Sequence, residues 1–286
     1  MRDLVISKIE SLENLPTLPE IVTEVMRIVQ TDDFSVKELK NIIEKDPVLT
    51  AKLLKIANTF YYNPYGKEIT STERAIIQLG TKNLLPIVFG LSLIKVFTIQ
   101  DDSFDVKLFW KHSYTCAHIA KRIAKYFNLP DAEAFTAGLL HDVGKIVLYM
   151  IFPKDYLKAI ELTETENIPM FEAERRVFDI DHAEVGEILL NKWHIPQLII
   201  EPVRYHHEPD KAPSHKYFAA LINIANIFTR ASGQYFGKDT YGVVLEETPG
   251  WLILKKRIKE EDVEELIMPI NDDVEEAIEF ANIAWG

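Results

Sequence analysis

The chain has 286 residues, of which 47% are hydrophobic and 27% charged, and its formal net charge is −12. This profile is typical of a packed soluble protein with one large or two ordinary domains, and the charge disfavours a broad basic face for nucleic acid or acidic lipid. The N-terminal residues contain no signal-peptide core, and the apolar run over residues 84–97 is too short to span a bilayer. The single cysteine, Cys116, excludes an intramolecular disulfide and is expected to be buried. We therefore expect a cytoplasmic protein with no nucleic-acid or membrane partner.

Helical periodicity dominates the chain, and no convincing run of alternating strand residues is present. In the first hundred residues, helix start and stop signals are frequent. Helices are expected over 19–29, after a capping box at Ser35, after Asp46-Pro47, and from a capping box at Thr70–Glu73 to a left-handed C-cap at Gly80, with a further helix ending at Phe97.

The polar and acidic stretch 98–105, which contains Gln100, Asp101 and Asp102, predicts a boundary. Beyond it, helices are expected over 106–127, 131–141, 155–164, 170–178 and 182–193, the last capped by Asp181, then from Pro196 with a kink or restart at Pro202, and from Ser214 to 230. Residues 233–250 are expected to be irregular, with at most a short hairpin, and acidic helices are expected over 260–267 and 272–284. This pattern predicts an all-α fold with three segments, 1–100, 101–232 and 233–286.

All eight histidines lie between His112 and His215. Five of them fall in order along four predicted helices: His112 early in one, His141 with Asp142 at the end of the next, His182 at the start of a third, and His206-His207 at the end of a fourth. Imidazole is the commonest side-chain ligand for transition metals, and helical scaffolds collect ligands from converging helices. The pattern predicts a shared polar pocket that is, or once was, a metal site, with a structural hydrogen-bonded cluster as the alternative. His118, His194 and His215 are expected to lie outside it.

Helix geometry limits how these residues can share one ion. Adjacent helical residues point about 100° apart, so His141 and Asp142 reach one ion only where the backbone bends, and Gly144 is expected to supply that bend. Lys145 is expected either to bind phosphate beside the site or to be solvated. Since His206 and His207 are also adjacent, only one of them is expected to be a ligand.

Charge argues against a two-metal site. Two divalent cations bring four positive charges, whereas the candidate ligands include one carboxylate, that of Asp142. A single ion, or an anion held by the imidazoles and Lys145, therefore fits the sequence better.

Several motifs make the sequence similar to the HDOD family, a bacterial branch of the HD phosphohydrolase superfamily. The motifs that carry the resemblance are Leu15-Pro16-Thr17-Leu18-Pro19, residues 42–50 with Leu54, Ala57 and Asn58, residues 75–80, residues 137–145, residues 181–186, residues 193–196, and His206-His207-Glu208-Pro209. The resemblance implies a multi-helical all-α fold in which an N-terminal helical bundle packs on an HD-type helical subdomain.

The resemblance also implies a metal set of a histidine, a His-Asp pair and a distant aspartate. His112 and His141-Asp142 match the first members, but Asn226 stands where the last aspartate is expected, and an amide is a weaker ligand without charge. Two features of the related HD-GYP branch are also missing: a Gly-Tyr-Pro segment after the double histidine, and a glutamate four residues before His112, where Leu108 stands.

These departures favour a bacterial signal-transduction module that is non-catalytic and retains a metal- or anion-binding pocket. The expected metal ligands are His112, His141, Asp142, His182, His206 and His207, with Fe, Mn, Ni or Zn as the single divalent ion. The expected partner is a signalling protein or a small nucleotide-like ligand, bound between the two helical halves. The alternative is a metal-dependent phosphohydrolase acting on a nucleotide or cyclic nucleotide, because the histidines, Asp142 and Lys145 are all present together.

A cluster of aromatic residues follows the most characteristic motif. Phe60, Tyr61, Tyr62 and Tyr65 surround Asn58 in sequence. They are expected to pack in the core or between domains, and a ligand pocket is the alternative.

Overall fold

A computed structural model of the chain describes residues 1–11, 17–29, 35–97, 99, 103–236, 244–258 and 270–285. Within these ranges all regular secondary structure is helical, so the all-α prediction is confirmed. Some predicted features lie outside the described residues: Leu15 and Pro16 of the opening motif, Gln100 to Asp102, residues 237–243, and the acidic helix expected over 260–267.

The α-helices are α1 (Arg2–Ser11), α2 (Glu20–Val29), α3 (Val36–Ile43), α4 (Pro47–Ala57), α5 (Thr72–Leu79), α6 (Thr81–Val96), α7 (Val106–Tyr126), α8 (Asp131–Leu140), α9 (Val143–Ile151), α10 (Pro153–Glu166), α11 (Met170–Phe178), α12 (His182–Lys192), α13 (Gln197–Tyr205), α14 (Lys216–Ala231), α15 (Pro249–Leu254) and α16 (Ile270–Trp285). Short 3₁₀ turns occur at Pro209–Lys211, Leu245–Glu247 and Lys255–Arg257.

Side-chain caps define several of these helix starts. Ser35 and Glu38 form the predicted capping box of α3, and the Asp46 carboxylate accepts the N–H groups of Val48 and Leu49 at the start of α4. Asp181 caps α12 through the N–H of Glu184. Each cap satisfies backbone donors that the first turn leaves without a partner inside the helix.

Two predicted caps are wrong. Ser71, not Thr70, caps α5, and its side chain accepts from the N–H of Arg74, so no capping box forms there. Ser214 does not cap α14. The N–H groups of Ser214 and His215 instead donate to the Glu201 carboxylate of α13, at 2.7 and 2.5 Å. Glu201 thus anchors the two residues that precede α14, and the start of this helix has no side-chain cap.

The restart expected at Pro202 does not occur, whereas a kink at this residue stays a prediction. α13 runs without a restart from Gln197 to Tyr205 with Pro202 inside it. The side chain of Pro202 is buried along with Ile199, Ile200 and Val203, so packing holds this short helix together across the missing backbone donor.

The chain forms two compact units. The larger unit contains residues 1–15 and 99–277; in it α7 packs on α8 and α14, α9 packs on α12, and α13 contacts α8, α12 and α14. The smaller unit contains residues 16–98 and 278–286, where α4 and α5 pack on each other and on α6. The segments 1–100, 101–232 and 233–286 remain a prediction.

One described stretch, residues 131–151, is long and apolar enough to cross a membrane, and 89% of its most apolar window is buried inside the protein. The bent pair α5–α6 passes the same test only if its two helices are counted as one span. Burial of this kind is typical of the core helices of a folded domain.

Candidate metal centre

The centre is built on a break between two helices. α8 ends at Leu140 and α9 begins at Val143, so His141 and Asp142 occupy the junction. Because the backbone at Asp142 (φ −103°, ψ 5°) leaves the helical path, the two adjacent side chains reach the same point. Gly144 was expected to supply this bend, but it lies inside α9 and does not.

Gly144 has a different role, which is close packing. A Cβ at this position would lie 2.0 Å from the carbonyl oxygen of His182 and 2.9 Å from the backbone nitrogen of Gly186. The absence of a side chain therefore lets α9 approach the first turn of α12, and this contact fixes the distance between Asp142 and His182.

The Asp142 carboxylate lies at the middle of the histidine cluster. Its Oδ2 is 3.3 Å from Nε2 of both His112 and His141. Its Oδ1 is 3.1 Å from Nε2 of His182 and 3.9 Å from Nε2 of His206. One carboxylate therefore faces imidazoles on both of its sides.

The possible ligand atoms fall into two groups. The Asp142 group consists of His112, His141 and Asp142, and the His207 group consists of His182, His206 and His207; within each group the ligand atoms lie within 4.8 Å of one another. The structure brings both His206 and His207 into one group, so their expected divergence is wrong, whereas the expectation that only one of them is a ligand stays a prediction. α13 ends at Tyr205, so both residues have left the helix and the 100° rule no longer separates them.

Backbone carbonyls orient three of the imidazoles. Nδ1 of His112 donates to Gln234 O at 2.6 Å, and Nδ1 of His141 donates to Gly138 O at 2.7 Å. The same arrangement joins His206 Nδ1 to Val203 O at 2.7 Å. A carbonyl oxygen can only accept, so each of these rings carries its proton on Nδ1 and turns the Nε2 lone pair toward Asp142.

This orientation gathers acceptor atoms in one buried place. Nε2 of His112 and Nε2 of His141 are 3.3 Å apart, and both face Asp142. Among the described residues, His206 Nε2 and Asp142 Oδ1 have no hydrogen-bond partner although both are buried. Converging lone pairs without enough donors are the arrangement that a cation satisfies.

One residue of the centre, Glu174 on α11, was not predicted from the sequence. Its Oε2 accepts the backbone N–H of His182 at 2.8 Å and the ring Nδ1–H of the same residue at 2.5 Å. Glu174 is fully buried and shares a helix face with Met170, Ala173 and Phe178. The sequence signal for Glu174 was a carboxylate on the apolar face of α11, and this signal does not identify His182 as its partner.

Glu174 changes the charge of the neighbouring imidazole. Burial by itself lowers the pKa of His182, but the Glu174 carboxylate, together with Asp142, raises this pKa to about 9. His206 and His207 have no such partner, and burial together with the nearby imidazoles lowers the pKa of each well below its usual value. Burial also opposes ionisation of Asp142, yet His141 and Lys145 hold the pKa of its carboxyl well below the usual range.

Lys145 lies inside the centre. It is only 3% exposed, and its Nζ is 2.7 Å from Asp142 Oδ2. The solvated-lysine interpretation is therefore wrong, whereas phosphate binding stays a prediction. In this position Lys145 neutralises the single carboxylate of the Asp142 group and competes with a cation for Oδ2.

Asn226 lies on α14 and is 8% exposed. Its Oδ1 has no hydrogen-bond partner among the described residues. Its expected place at the position of the missing aspartate stays a prediction. The other three histidines lie elsewhere: His118 contacts Glu276 Oε1 at 3.1 Å, His194 is exposed and His215 half-buried.

The donor set fits a divalent transition metal. Imidazole nitrogens with one carboxylate suit Fe, Mn, Ni or Zn better than Mg or Ca, which prefer sites made of oxygen atoms. The outer partners also match the usual pattern, in which each ligand imidazole donates its other N–H to a carbonyl or carboxylate.

The pH dependence of stability tests the Glu174–His182 pair in metal-free protein. The pKa of His182 is about 9 in the folded chain, against 6.5 normally. Between these pH values the folded chain holds a proton that the unfolded chain has released, so stability falls as the pH rises. We expect a loss on the order of 3 kcal/mol across this window, measured by urea unfolding after chelation. Below the normal histidine pKa stability also falls, because the folded protein keeps His206 and His207 neutral.

The matched variant is Glu174→Gln, which keeps the shape of the side chain and removes its charge. It should flatten the alkaline decline and weaken metal affinity by about 10–100-fold, whereas Glu172→Gln, at an exposed position of the same helix, should change neither. If stability still falls as the pH rises in Glu174→Gln, the loss of stability belongs to another titrating group.

Comparisons with known proteins agree with this architecture. A family model described as the HDOD domain matches residues 15–209. A crystal structure of an HDOD domain protein from Geobacter sulfurreducens is similar over 98% of both chains, with 26% identity and a TM-score of 0.83. An uncharacterized protein of Treponema pallidum is 26% identical over 224 residues, which are 77% of this chain and 43% of the relative.

Ribonuclease Y of Thermus thermophilus is 29% identical over 121 residues, which are 42% of this chain and 16% of that enzyme. The chain thus spans less than half the length of these two relatives.

Proposed function

Since the chain belongs to the HDOD family, we propose that it is a non-catalytic signalling module whose buried histidine centre holds a divalent transition metal. The metal stabilises the arrangement of α7, α9, α12 and α13, and the module acts by binding a partner protein. The observation that carries the metal assignment is the set of carbonyl-bound imidazoles whose Nε2 atoms face Asp142.

The residues that would hold the ion are those of the two groups. His112, His141 and Asp142 form one candidate site, and His182, His206 and His207 form the other. When bound in a hydrolase, such an ion lowers the pKa of a water molecule and polarises the substrate. Here Asp142 lies at the centre of the imidazoles, while Glu174 positions His182 and supplies negative charge next to it.

Three observations support the absence of turnover. His112 is 2% exposed, and His141, Asp142, His182 and His206 are 0% exposed, which leaves little access for a substrate. The Lys145 ammonium already neutralises Asp142. The resemblance places a glutamate and an aspartate where this chain has Leu108 and Asn226. These two uncharged residues do not supply the negative charge that would balance two metal ions during hydrolysis.

A metal-dependent phosphohydrolase is the second candidate. Its support is that the Asp142 carboxylate presents both of its oxygens to imidazoles, Oδ2 to His112 and His141 and Oδ1 to His182. The similarity to ribonuclease Y over 121 residues favours a nucleotide phosphodiester as the substrate. His207 and its stacking partner Phe171, with ring centroids 4.3 Å apart, are half-buried and mark the side open to such a substrate.

Elemental analysis together with a turnover assay separates the two candidates. We expect the purified chain to retain about one transition-metal ion per molecule after dialysis, and to release no product from cyclic dinucleotides, RNA or bis-nitrophenyl phosphate with manganese or iron. Metal-dependent product formation that disappears in Asp142→Ala would establish the hydrolase instead. Failure to retain any ion would contradict the metal centre itself.

A further inference from the structure

The loop that joins α4 to α5, residues 58–71, displays aromatic side chains to solvent. Phe60 is 79% exposed, Tyr65 is 97% exposed and Tyr61 is 48% exposed. The expectation that these residues pack in the core or between domains is therefore wrong for all three. Large aromatic side chains gain free energy when they leave water, so a group of them on the surface is informative.

The loop is held in one shape by hydrogen bonds at its base. The Asn58 side chain donates to Leu54 O and to Ile69 O, both at 2.8 Å, and accepts the N–H of Ile69 at 2.8 Å. These bonds close the loop, because they join residues eleven positions apart. The aromatic side chains are thus mounted on a closed Ω-type loop, a kind of segment that is frequently functional.

Further bonds brace the tip and the side of the loop. Asn63 is buried; its side chain donates to Lys67 O at 2.9 Å, and its carbonyl accepts from the N–H of Gly66 at 3.0 Å. Gln78 of α5 donates to the carbonyl of Tyr62. A preorganised loop loses little conformational entropy when it binds, which favours affinity.

Basic side chains flank this loop and lack ion pairs. Lys55 precedes the loop, Lys67 lies in it, and Arg74 follows it in the first turn of α5; all three are exposed, and among the described residues none forms an ion pair. Other lysines of the same unit do so, at 2.8 Å for Lys45 with Glu24 and 2.6 Å for Lys95 with Asp46. Three exposed basic side chains without an ion pair among the described residues therefore lie in or next to the segment that carries the exposed aromatic groups.

The distribution of charge over the chain makes this region distinctive. The smaller unit contains ten Lys and Arg residues and ten Asp and Glu residues, so the net charge of −12 resides in the other unit. Between residues 51 and 82 five basic residues stand against two acidic ones. This stretch is a local basic surface in an acidic protein.

We propose that the loop over residues 58–71, with Lys55 and Arg74, is a docking surface for a partner protein, and that its ligand is an acidic peptide segment carrying aromatic or aliphatic side chains. The apolar side chains of the peptide cover Phe60, Tyr61 and Tyr65. The carboxylates of the peptide pair with Lys55, Lys67 and Arg74, which adds specificity and speeds association. The α5 residue Ile77, 63% exposed and one turn from Arg74, extends the apolar contact.

A nucleic acid fits this surface less well than a peptide. Nucleic-acid binding draws most of its affinity from many phosphate contacts. Here, among the described residues, only Lys55, Lys67 and Arg74 offer positive charge at the loop, and the net negative charge of the chain repels a polyanion. A peptide with two or three carboxylates matches that number and presents less charge to the acidic remainder of the molecule.

Selection from a random peptide library displayed on phage tests the proposal, with the full chain as bait. Enriched peptides should combine Asp or Glu with Trp, Phe or Leu. Synthetic copies should bind the wild type in a fluorescence anisotropy titration, and binding should weaken as sodium chloride rises from about 50 to about 300 mM. The double variant Phe60→Ser/Tyr65→Ser should bind at least about tenfold more weakly, and Lys67→Glu/Arg74→Glu should lose the salt dependence.

The control is Tyr217→Ser/Leu252→Ser, which removes two other exposed large hydrophobic side chains, 46% and 43% exposed, from α14 and α15. It should bind the selected peptides like the wild type, and circular dichroism should show all variants folded. Basic or neutral selected peptides, no enrichment, or binding unaffected by the loop variants would each overturn the proposal. Tighter binding of single-stranded oligouridylate would assign the surface to nucleic acid, and self-association lost in Phe60→Ser/Tyr65→Ser would assign it to a second copy of the chain.

This inference deepens the proposed signalling role by naming the surface and the class of partner. The two can fail separately, because the peptide experiment reads binding at the loop, whereas the test of the proposed function reads metal content and turnover at the histidine centre.

Discussion

Replacing Asp142 with alanine is expected to lower the free energy of unfolding of the metal-free protein by about 3–5 kcal/mol. The reason is the buried ion pair between Asp142 and Lys145, whose atoms are 2.7 Å apart with side-chain exposures of 0% and 4%. Without the carboxylate, the Lys145 ammonium stays buried without its counter-charge. The imidazole of His182, whose Nε2 is 3.1 Å from Asp142 Oδ1, also loses the carboxylate that it faces. Urea unfolding of chelated samples measures the change.

A double-mutant cycle shows whether the loss arises from the stranded ammonium. Lys145→Met removes the charge and retains much of the apolar stem, so Asp142→Ala/Lys145→Met should recover about 2 kcal/mol or more of the loss. Lys158→Met, which breaks the exposed pair with Asp155, is the control and should change stability little. Equal losses in the single and double variants would place the effect in the imidazole cluster instead.

Metal content separates the two roles of Asp142. Lys145→Met leaves every candidate ligand in place and removes a competing cation from Oδ2, so this variant should retain at least as much metal as the wild type. Asp142→Ala should retain much less, since the carboxylate faces imidazoles of both groups. If Lys145→Met lost its metal, the ammonium would have to support the ligands rather than compete with the ion.

Local signals in the sequence predicted the helices well. The capping box at Ser35, the cap at Asp46 and the cap at Asp181 involve residues within one turn of each other, so their chemistry is readable from spacing. The start of α14 was misread because the chain before it is held by Glu201, thirteen residues before Ser214, and not by a local cap. A long-range partner of this kind leaves no local pattern.

The same distinction applies to the metal centre. The order of the histidines predicted which residues to consider, and the structure places His112, His141, Asp142, His182, His206 and His207 in two adjoining groups. The sequence did not reveal Glu174, which reaches His182 from another helix. It also predicted divergence of His206 and His207, because the end of α13 at Tyr205 could not be located to one residue.

The aromatic loop shows why hydrophobicity alone misleads. Four aromatic residues within six positions predict burial on composition, yet three of them are exposed and Tyr62 is half-buried on the loop that the bonds from Asn58 to Ile69 close. Periodicity identifies the buried face of a helix, but it gives no information on an irregular loop. The Asn58 amide closes the loop that carries the aromatic residues, and a single asparagine in the sequence does not predict these bonds.

Replacing Gly144 with alanine is expected to destabilise the protein by about 3 kcal/mol or more and to abolish metal retention. The added Cβ would lie 2.0 Å from the carbonyl oxygen of His182, and backbone atoms on both sides of this contact cannot rotate away as a side chain can. α9 and α12 must therefore separate, which moves Asp142 away from His182. Thermal unfolding and elemental analysis of the same sample measure both effects.

Gly186→Ala is the matched control for this contact, because it adds the same methyl group to the facing helix. Its Cβ would lie 3.2 Å from Cγ1 of Val203, a side-chain atom that can shift. Alanine also favours the helical state over glycine by about 1 kcal/mol, so the net change in stability should be within about 1 kcal/mol, with metal content unchanged. If Gly144→Ala behaved like Gly186→Ala, the spacing of α9 and α12 would not determine the geometry of the centre, and the histidine groups would have to be held by their carbonyl and carboxylate partners alone.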